Sequence, residues 1–440
     1  MSALAMLDRR RTVARWTYNR WLVTPAALAI HLSIGQAYAM SVFKKPLVEH
    51  FGTNLTPIAV IFSLSMVMLG LSAAVAGTWI EAAGPRKAMC VAALCWPGGF
   101  AVAAAGVATH QLWLVYLGYG VIGGIGLGIG YISPVSTLIR WFPDRPGLAA
   151  GLAIMGFGGG ALIASPLSDR LLHFYAPDPR DGIVPTFLTL GALYFVVMML
   201  AALTVRVPPE RWVPKGWSPK KRARHRSFAD GDVTAANAVK TPQFWLLWIV
   251  LFCNITAGIG ILEQAAPMIQ DFFPRVSATA AAGYVALLSL CNMTGRVVWS
   301  ATSDYIGRRH TYLGYLALGA LLYLAVAFFG SWSVEGFVVL TGVILSFYGG
   351  VFATIPAYVR DLFGVLQVGA IHGRLLTAWS AAGIAGPLIV NTVADSQHAL
   401  GKSGADLYSV SLYIMAALVL VGLGANLMVR PVSEWCLEPS

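Results

Sequence analysis

The chain has 440 residues, 57% of them apolar and 11% charged, with a mean hydropathy of +0.70. That balance excludes an ordinary soluble protein, in which about a quarter of the residues are charged. The formal net charge of +11 would suit a nucleic-acid partner, but the basic residues lie between long apolar runs, where they report membrane topology instead. Five cysteines show no metal-ligand or paired spacing, and Cys95, Cys253 and Cys291 fall inside apolar runs as small fillers. No cleavable signal is evident: five Arg precede Trp21, and the run that follows is long enough to cross a membrane and stay.

In chain order the apolar runs predict twelve spans at 21–43, 57–79, 88–108, 112–138, 147–168, 184–205, 244–267, 279–302, 311–330, 335–357, 369–392 and 408–429. Only a helix satisfies its own backbone in lipid over a single crossing, so an all-α integral membrane fold is expected. The organisation follows: an N-terminal segment 1–20, a six-helix bundle 21–205, a linker 206–243, a second six-helix bundle 244–429 and a tail 430–440. The linker holds PPERW, PKGW and KKRARHR, polar, proline-broken and basic. With the N-terminus inside, cytoplasmic segments carry 22 of the 30 Lys and Arg and outer loops carry six, which predicts cytoplasmic termini.

The halves repeat. Gly77, Glu81, Gly84, Arg86 and Lys87 are answered by the string from Ser300 to Arg309, with Glu81 lying 223 residues before Asp304. Pro134 is answered by Pro356, and Pro166 by Pro387, at nearly the same offset. One internal duplication at half the chain length, with hydrophobic spans in each half, is the signature of a secondary transporter. At the ends of spans two and eight, Glu81 and Asp304 can pair with basic groups and cap a neighbouring helix. Gly77, Glu81, Gly84, Arg86, Asp304, Gly307, Arg308 and Arg309 are therefore candidates for a conformational latch between the halves.

Within the spans, Arg296 stands out. Eight residues separate it from Asp304, placing it about 12 Å inside the span. A guanidinium at that depth costs roughly 2.5–3.5 kcal/mol on insertion scales and is read as functional. His31 lies ten residues into span one, also near mid-membrane, and is either a helix-packing histidine or a substrate and proton site. Glu263 falls near the far end of span seven, as an interfacial acid or a proton-coupling site. Tyr38, Asn254, Gln264, Asn292 and Tyr348 add polar groups that together suggest a partly polar cavity. Trp113 and Trp141 read as interfacial belt residues. The G-x-G-x-x-G at Gly118, Gly120 and Gly123 lies inside a span with no strand before it, so a nucleotide loop is excluded and close helix packing is expected. GFGGGALIASP in span five reads the same way.

With these residues in hand, the chain resembles the major facilitator superfamily on its two Gly-acid-Gly-Arg strings and twelve-span duplication. Within it, GQAYAMSVF, GIGYISPV, RWFPDRPGLAAGLA, NITAGIGILEQAAPM, NMTGR, YGGVFATIPAY and GRLLTAWSAAGIAGP resemble the oxalate/formate antiporter family from about residue 21 to 428. Monocarboxylate transporters of animals are more distantly similar. The resemblance implies a site in which an Arg on span eight and a Lys on span eleven hold a dianion. The first position falls on Arg296; the second falls on Trp379, in LLTAWS, where the lysine is missing. One fixed cation compensates one carboxylate, so a monocarboxylate such as formate, pyruvate or lactate is the expected substrate, moved by proton symport or anion exchange. The expected substrate-binding set is Arg296, Asn292, Tyr38, Tyr348, Trp379 and His31, with His31 and Glu263 for protons. A dicarboxylate antiporter of the same family is the alternative, and a drug exporter of the same fold a more distant one, since that class wants an embedded acid. A membrane sensor would want an appended soluble domain, and an enzyme would want a nucleophile–base or metal constellation. No catalytic residue, metal or cofactor is expected, and the partners are the small anion, protons and the lipid bilayer of a bacterial inner membrane, around a monomeric unit.

Overall fold

The computed structural model describes residues 9–53, 55–178, 180–210, 212–214, 216–217 and 232–432. The KKRARHR stretch of the linker and the end of the tail lie outside the described residues, as does the side chain of Glu263. Among the described residues twelve helical spans are present. They are α1 (Thr24–Ile34, Gly35–Met40 and Ser41–Phe51 in succession), α2 (Leu55–Ala83) and α3 (Pro85–Ala108), then α4 (Leu112–Val115, Tyr116–Gly123 and Gly124–Trp141 in succession), α5 (Pro146–Tyr175) and α6 (Ile183–Thr204). After the linker come α7 (Pro242–Phe272), α8 (Ala278–Ile306), α9 (Arg308–Phe329), α10 (Val334–Phe363), α11 (Val368–Leu375 and Thr377–Ala399) and α12 (Asp406–Met428). Among the described residues eleven of these are long and apolar enough to cross a membrane by composition alone. The other is α8, at 29 residues about 43 Å long, whose apolar run is diluted by Asn292, Thr294, Arg296 and Ser300.

Local chemistry sets the boundaries. Thr241, Ser277 and Ser333 accept backbone N–H groups at the starts of α7, α8 and α10, and Pro85, Pro146 and Pro242 occupy first turns where no N–H is needed. Gly84 and Gly307 turn the chain from α2 into α3 and from α8 into α9, with φ of 86° and 93°. That backbone region favours glycine, so the repeated glycine of each half is a turn requirement.

Three spans depart from continuous α-helix. In α1 the chain tightens to a 3₁₀ turn at Gly35–Met40, where a Cβ on Gly35 would lie 2.5 Å from the Phe157 carbonyl, so α1 and α5 meet backbone to backbone. In α4 the Tyr116–Gly123 segment is a π-helix, and Gly118 packs against the backbone of α3. The glycines at 120, 124 and 128 continue the same helix against α2, as close packing requires. α11 breaks at Leu376, just before Trp379. One expectation fails: Trp141 is no belt residue. It is fully buried, donates to the Arg206 carbonyl at 2.8 Å, meets Trp212 edge-on and lies tilted against Tyr18, because the N-terminal segment and the start of the linker cover it. Trp113 is exposed.

Contacts between the first six helices and the last six run mainly through α5 against α8 and α2 against α11. Both seams are glycine-lined: Gly147 and Gly151 face Ser300, Gly77 faces Ala370, and Gly373 faces the Ala73 carbonyl. The linker ends are strapped to the helices at the same end of the molecule. Val207 exchanges backbone bonds with Thr12 and Ala14, while Asp232 accepts the amides of Val365 and Leu366.

At that end Arg20 grips Asp144 by a two-pronged contact of 2.5 and 2.9 Å. Burial raises the Asp144 pKa, but the Arg20 guanidinium outweighs it and holds the carboxyl below its ordinary range. A depressed folded value means that the pair stabilises above the unfolded carboxyl pKa and is lost as pH falls through the folded one. Asp144→Asn is therefore expected to lower thermal stability by about 1–2 kcal/mol at pH 7, with the gap from wild type closing below about pH 4. Thermal unfolding of both proteins across that range checks it.

Candidate functional site

The site is built on α8. Arg296 is completely buried at mid-helix. Its Nε donates to Asn292 Oδ1 one turn earlier at 3.1 Å, and its Nη1 donates to the Ile154 carbonyl of α5 at 3.1 Å. Nη2 has no partner, and among the described residues no carboxylate pairs with this guanidinium. Room for it is made by glycine: Gly158 lies with its Cβ position 3.3 Å from Arg296 Nε, and Gly349 of α10 abuts the Asn292 carbonyl.

Aromatic rings close around the cation. The guanidinium carbon sits 5.8 Å from the Phe157 ring and 5.4 Å from the Phe352 ring. Trp379 contacts Phe352 at 4.4 Å, Phe157 at 5.4 Å and Tyr131 at 5.5 Å between centroids. Tyr38 meets Phe157 edge-on at 4.9 Å, and Tyr348 meets Phe352 at 5.1 Å. The Tyr38 hydroxyl lies within electrostatic reach of Arg296 and Tyr348, and that of Tyr131 within reach of Arg296, without well-formed hydrogen bonds. The hydroxyls of Tyr38, Tyr131 and Tyr348 and the Trp379 indole N–H are all buried and unpartnered.

The energetics of this arrangement are one-sided. Taking a cation out of water costs several kcal/mol even after relaxation, and two ring contacts return about 0.5–2 kcal/mol each. The buried donors add a further penalty of about 1–3 kcal/mol apiece. A charged Nη2, three phenols and an indole N–H are all able to donate to oxygen, so the donor set fits an anion with carboxylate oxygens.

The other expected residues fall as follows. Tyr38, Tyr348 and Trp379 border the cage, while Asn292 orients Arg296 through its side-chain carbonyl. His31 is buried beside Tyr131, with ring centroids 5.3 Å apart. Glu263 belongs to α7, and its side chain lies outside the described residues. The repeated strings divide by role. Asp304 accepts the Gly147 and Leu148 amides at 3.1 and 3.0 Å, at the N-terminus of α5. Glu81 accepts the Gly369 amide at 3.0 Å, in the first turn of α11, and pairs with Arg140. These are carboxylates at the positive ends of helices from the opposite half. Arg308 braces Asp304 at 2.5 Å and Asp361 at 3.2 Å. Arg86 and Arg309 each make a bond within their own half. They donate to Val205 and Leu427, the C-terminal carbonyls of α6 and α12, from positions 223 residues apart. Gly77 faces Ala370.

The sequence reading missed Tyr131, Phe157, Gly158 and Phe352. Phe157 sat in a segment read for its glycines and Tyr131 in one quoted only for the family resemblance, and neither has a charge to single it out in an apolar run. His372, also missed, lies buried in α11 at 6.0 Å from the Tyr131 ring.

Compared with known proteins, the profile of the Major Facilitator Superfamily matches residues 26–387. The chain is 25% identical over 372 residues to the oxalate:formate antiporter of Oxalobacter formigenes, covering 84% of this chain and 83% of that protein. It is 26% identical over 345 residues to apicoplast pyruvate carrier 1 of Toxoplasma gondii, covering 67% of this chain and 62% of that one. Among solved structures, the E. coli fucose:proton symporter FucP superposes with a TM-score of 0.66 at 15% identity, over 92% of this chain and 98% of that one, which shows a shared fold.

A buried cation whose energetics are one-sided gives a test that needs no substrate. Arg296→Met, similar in length and uncharged, is expected to raise the stability of the ligand-free protein by about 1–4 kcal/mol. Thermal unfolding in detergent measures it, and a marked loss of stability would make Arg296 a structural strut.

Proposed function

The chain belongs to the Major Facilitator Superfamily, and from that premise we propose that it is a secondary transporter that carries a small monocarboxylate by alternating access, anchored on Arg296. The observation that carries the reading is the buried guanidinium, which has no carboxylate partner among the described residues and an Nη2 without a well-formed hydrogen bond, inside a cage of hydroxyl and N–H donors. Similarity to an oxalate:formate antiporter and to a pyruvate carrier supports a small carboxylate as cargo. Trp379 favours a monoanion over a dianion: it fills one wall of the cage with an uncharged ring, and among the described residues Arg296 is the one Lys or Arg lining it.

The two bundles, 21–205 and 244–429, are the moving bodies of this cycle. Glu81 and Asp304 act as its latch, each holding a helix N-terminus of the other bundle. Each such contact contributes about 0.3–2 kcal/mol, small enough to be broken and remade. The excess of Lys and Arg at the end carrying the linker supports cytoplasmic termini in a bacterial inner membrane. His31 and Glu263 are the titratable residues that a proton-coupled cycle would use.

Uptake and counterflow in proteoliposomes with labelled carboxylates, with and without a pH gradient, test the proposal. Formate, pyruvate or lactate is expected to enter. Arg296→Ala abolishes uptake while the protein still inserts, and Arg296→Lys recovers less than about a tenth of it, because the ammonium loses the planar fork. Trp379→Lys improves competition by oxalate or malonate about tenfold, equivalent to 1.4 kcal/mol. Normal affinity in Arg296→Ala would remove the anchor. Equal competition by dianions and monoanions in wild type would overturn the one-charge reading in favour of a dicarboxylate exchanger. Acceleration by external acid points to symport, and a strict need for internal anion points to exchange.

A further inference from the structure

Two buried histidines, one from each half of the molecule, meet on a single tyrosine. His31 of α1 lies 5.3 Å from the Tyr131 ring and His372 of α11 lies 6.0 Å from it. All three side chains are buried. His31 Nδ1 bonds to the Ala27 carbonyl at 3.1 Å. A carbonyl only accepts, so Nδ1 carries the hydrogen and Nε2 of the neutral ring presents a lone pair. No well-formed hydrogen bond reaches that Nε2, the His372 Nε2 or the Tyr131 hydroxyl, while the Tyr131 carbonyl lies near His31 and Arg296 lies near the Tyr131 hydroxyl. Buried polar groups in native proteins are normally bonded, so three such groups on neighbouring rings call for a purpose other than packing.

The trio lies between the cage and one cross-half cap. Tyr131 itself packs on Phe157 and Trp379, and His372 sits within one turn of Gly369, whose amide Glu81 accepts. Resting on the transporter reading above, we propose that His31, Tyr131 and His372 form a proton site shared between the two halves, which gains a proton when a carboxylate binds at Arg296. The cation at Arg296 opposes a second positive charge nearby, and an anion seated on it removes that opposition. At an effective dielectric of 20, a unit charge about 8 Å away changes proton affinity by about thirtyfold. By reciprocity, protonation tightens the anion by the same factor.

The surrounding titratable groups leave this trio as the acceptor. Glu81 of α2 is taken by the Gly369 amide and by Arg140 of α4, and Arg374, two residues beyond His372, donates to the Ala235 carbonyl. On α10, Tyr348 packs on Phe352, and Tyr358 donates to Asn426. Asp232 accepts the Val365 and Leu366 amides, Cys253 of α7 lies against Gly422, and Tyr194 of α6 packs on Phe100. Asp169, Arg170 and His173 occupy the last turns of α5, far from Gly156, which touches His31.

The test counts protons taken up per pyruvate bound by the purified full chain, by calorimetry in buffers of different ionisation enthalpy from pH 5 to 8. Wild type is expected to take up as much as one proton per pyruvate somewhere in that range, with affinity tightening about tenfold or more towards acid. His372→Gln and His31→Gln each bind pyruvate with less than half that uptake and a flattened pH profile. If His372→Gln does not fold, Tyr131→Phe carries the test: it keeps the ring, and uptake per bound pyruvate must fall. Unchanged uptake in either variant overturns the shared site. Pyruvate binding without proton uptake at any pH overturns the proposal while leaving the carboxylate reading intact. Failure of pyruvate, formate and lactate alike to bind overturns both.

Discussion

A guanidinium with no carboxylate partner among the described residues, held among twelve apolar helices, is the constraint that organises this molecule. Its neighbours offset part of the cost of its burial and leave Nη2 open. Asn292 and the Ile154 carbonyl take two of its N–H groups, and Phe157 and Phe352 turn ring faces or edges towards its charge. Glycine at 158 and 349 keeps α5 and α10 close without a side chain in the way. Replacing any of these would remain a local change in sequence and a disturbance of the whole cage.

The halves are joined differently from the way each is built. Within a half, long helices bury broad apolar faces against one another, and Arg86 or Arg309 ties the turn after the second helix to the end of the sixth. Between halves, the seams consist of small residues and a few polar bonds: Asp304 on the start of α5, Glu81 on the start of α11, and Ser380 donating to the Met66 and Val67 carbonyls. Glycine seams slide with little steric cost, and helix-end caps form or break as units. Alternating access, proposed here for this chain, asks for such a division: stiff bodies and a separable contact.

Much of this was legible in the sequence, for identifiable reasons. Lipid forces helices, so apolar run lengths located all twelve spans, and the resemblance to the major facilitator superfamily agrees with the match over residues 26–387. Arg296 announced itself because a charge in an apolar run is expensive. Local irregularities were not legible. The 3₁₀ turn at Gly35–Met40 arises from a backbone approach between α1 and α5, which no local pattern encodes. Tyr131, Phe157 and Phe352 are ordinary residues for buried helices until three-dimensional packing gathers them around one cation. His372 was hidden beside Arg374 near a span end, where a histidine looks interfacial. Trp141 misled because an aromatic near a span end is usually a belt residue, and its cover comes from segments distant in sequence.

The most direct test of the central claim isolates the charge on the ligand. Thermal stabilisation of wild-type protein by pyruvate is compared with that by pyruvamide, nearly the same in shape and neutral. A ligand that binds the folded state raises stability as RT ln(1 + [L]/Kd). A concentration-dependent rise in Tm is expected with pyruvate and none with pyruvamide over the same range. Equal stabilisation by the two would contradict it, because the cage would then be reading shape and hydrogen bonds while Arg296 waited for something else.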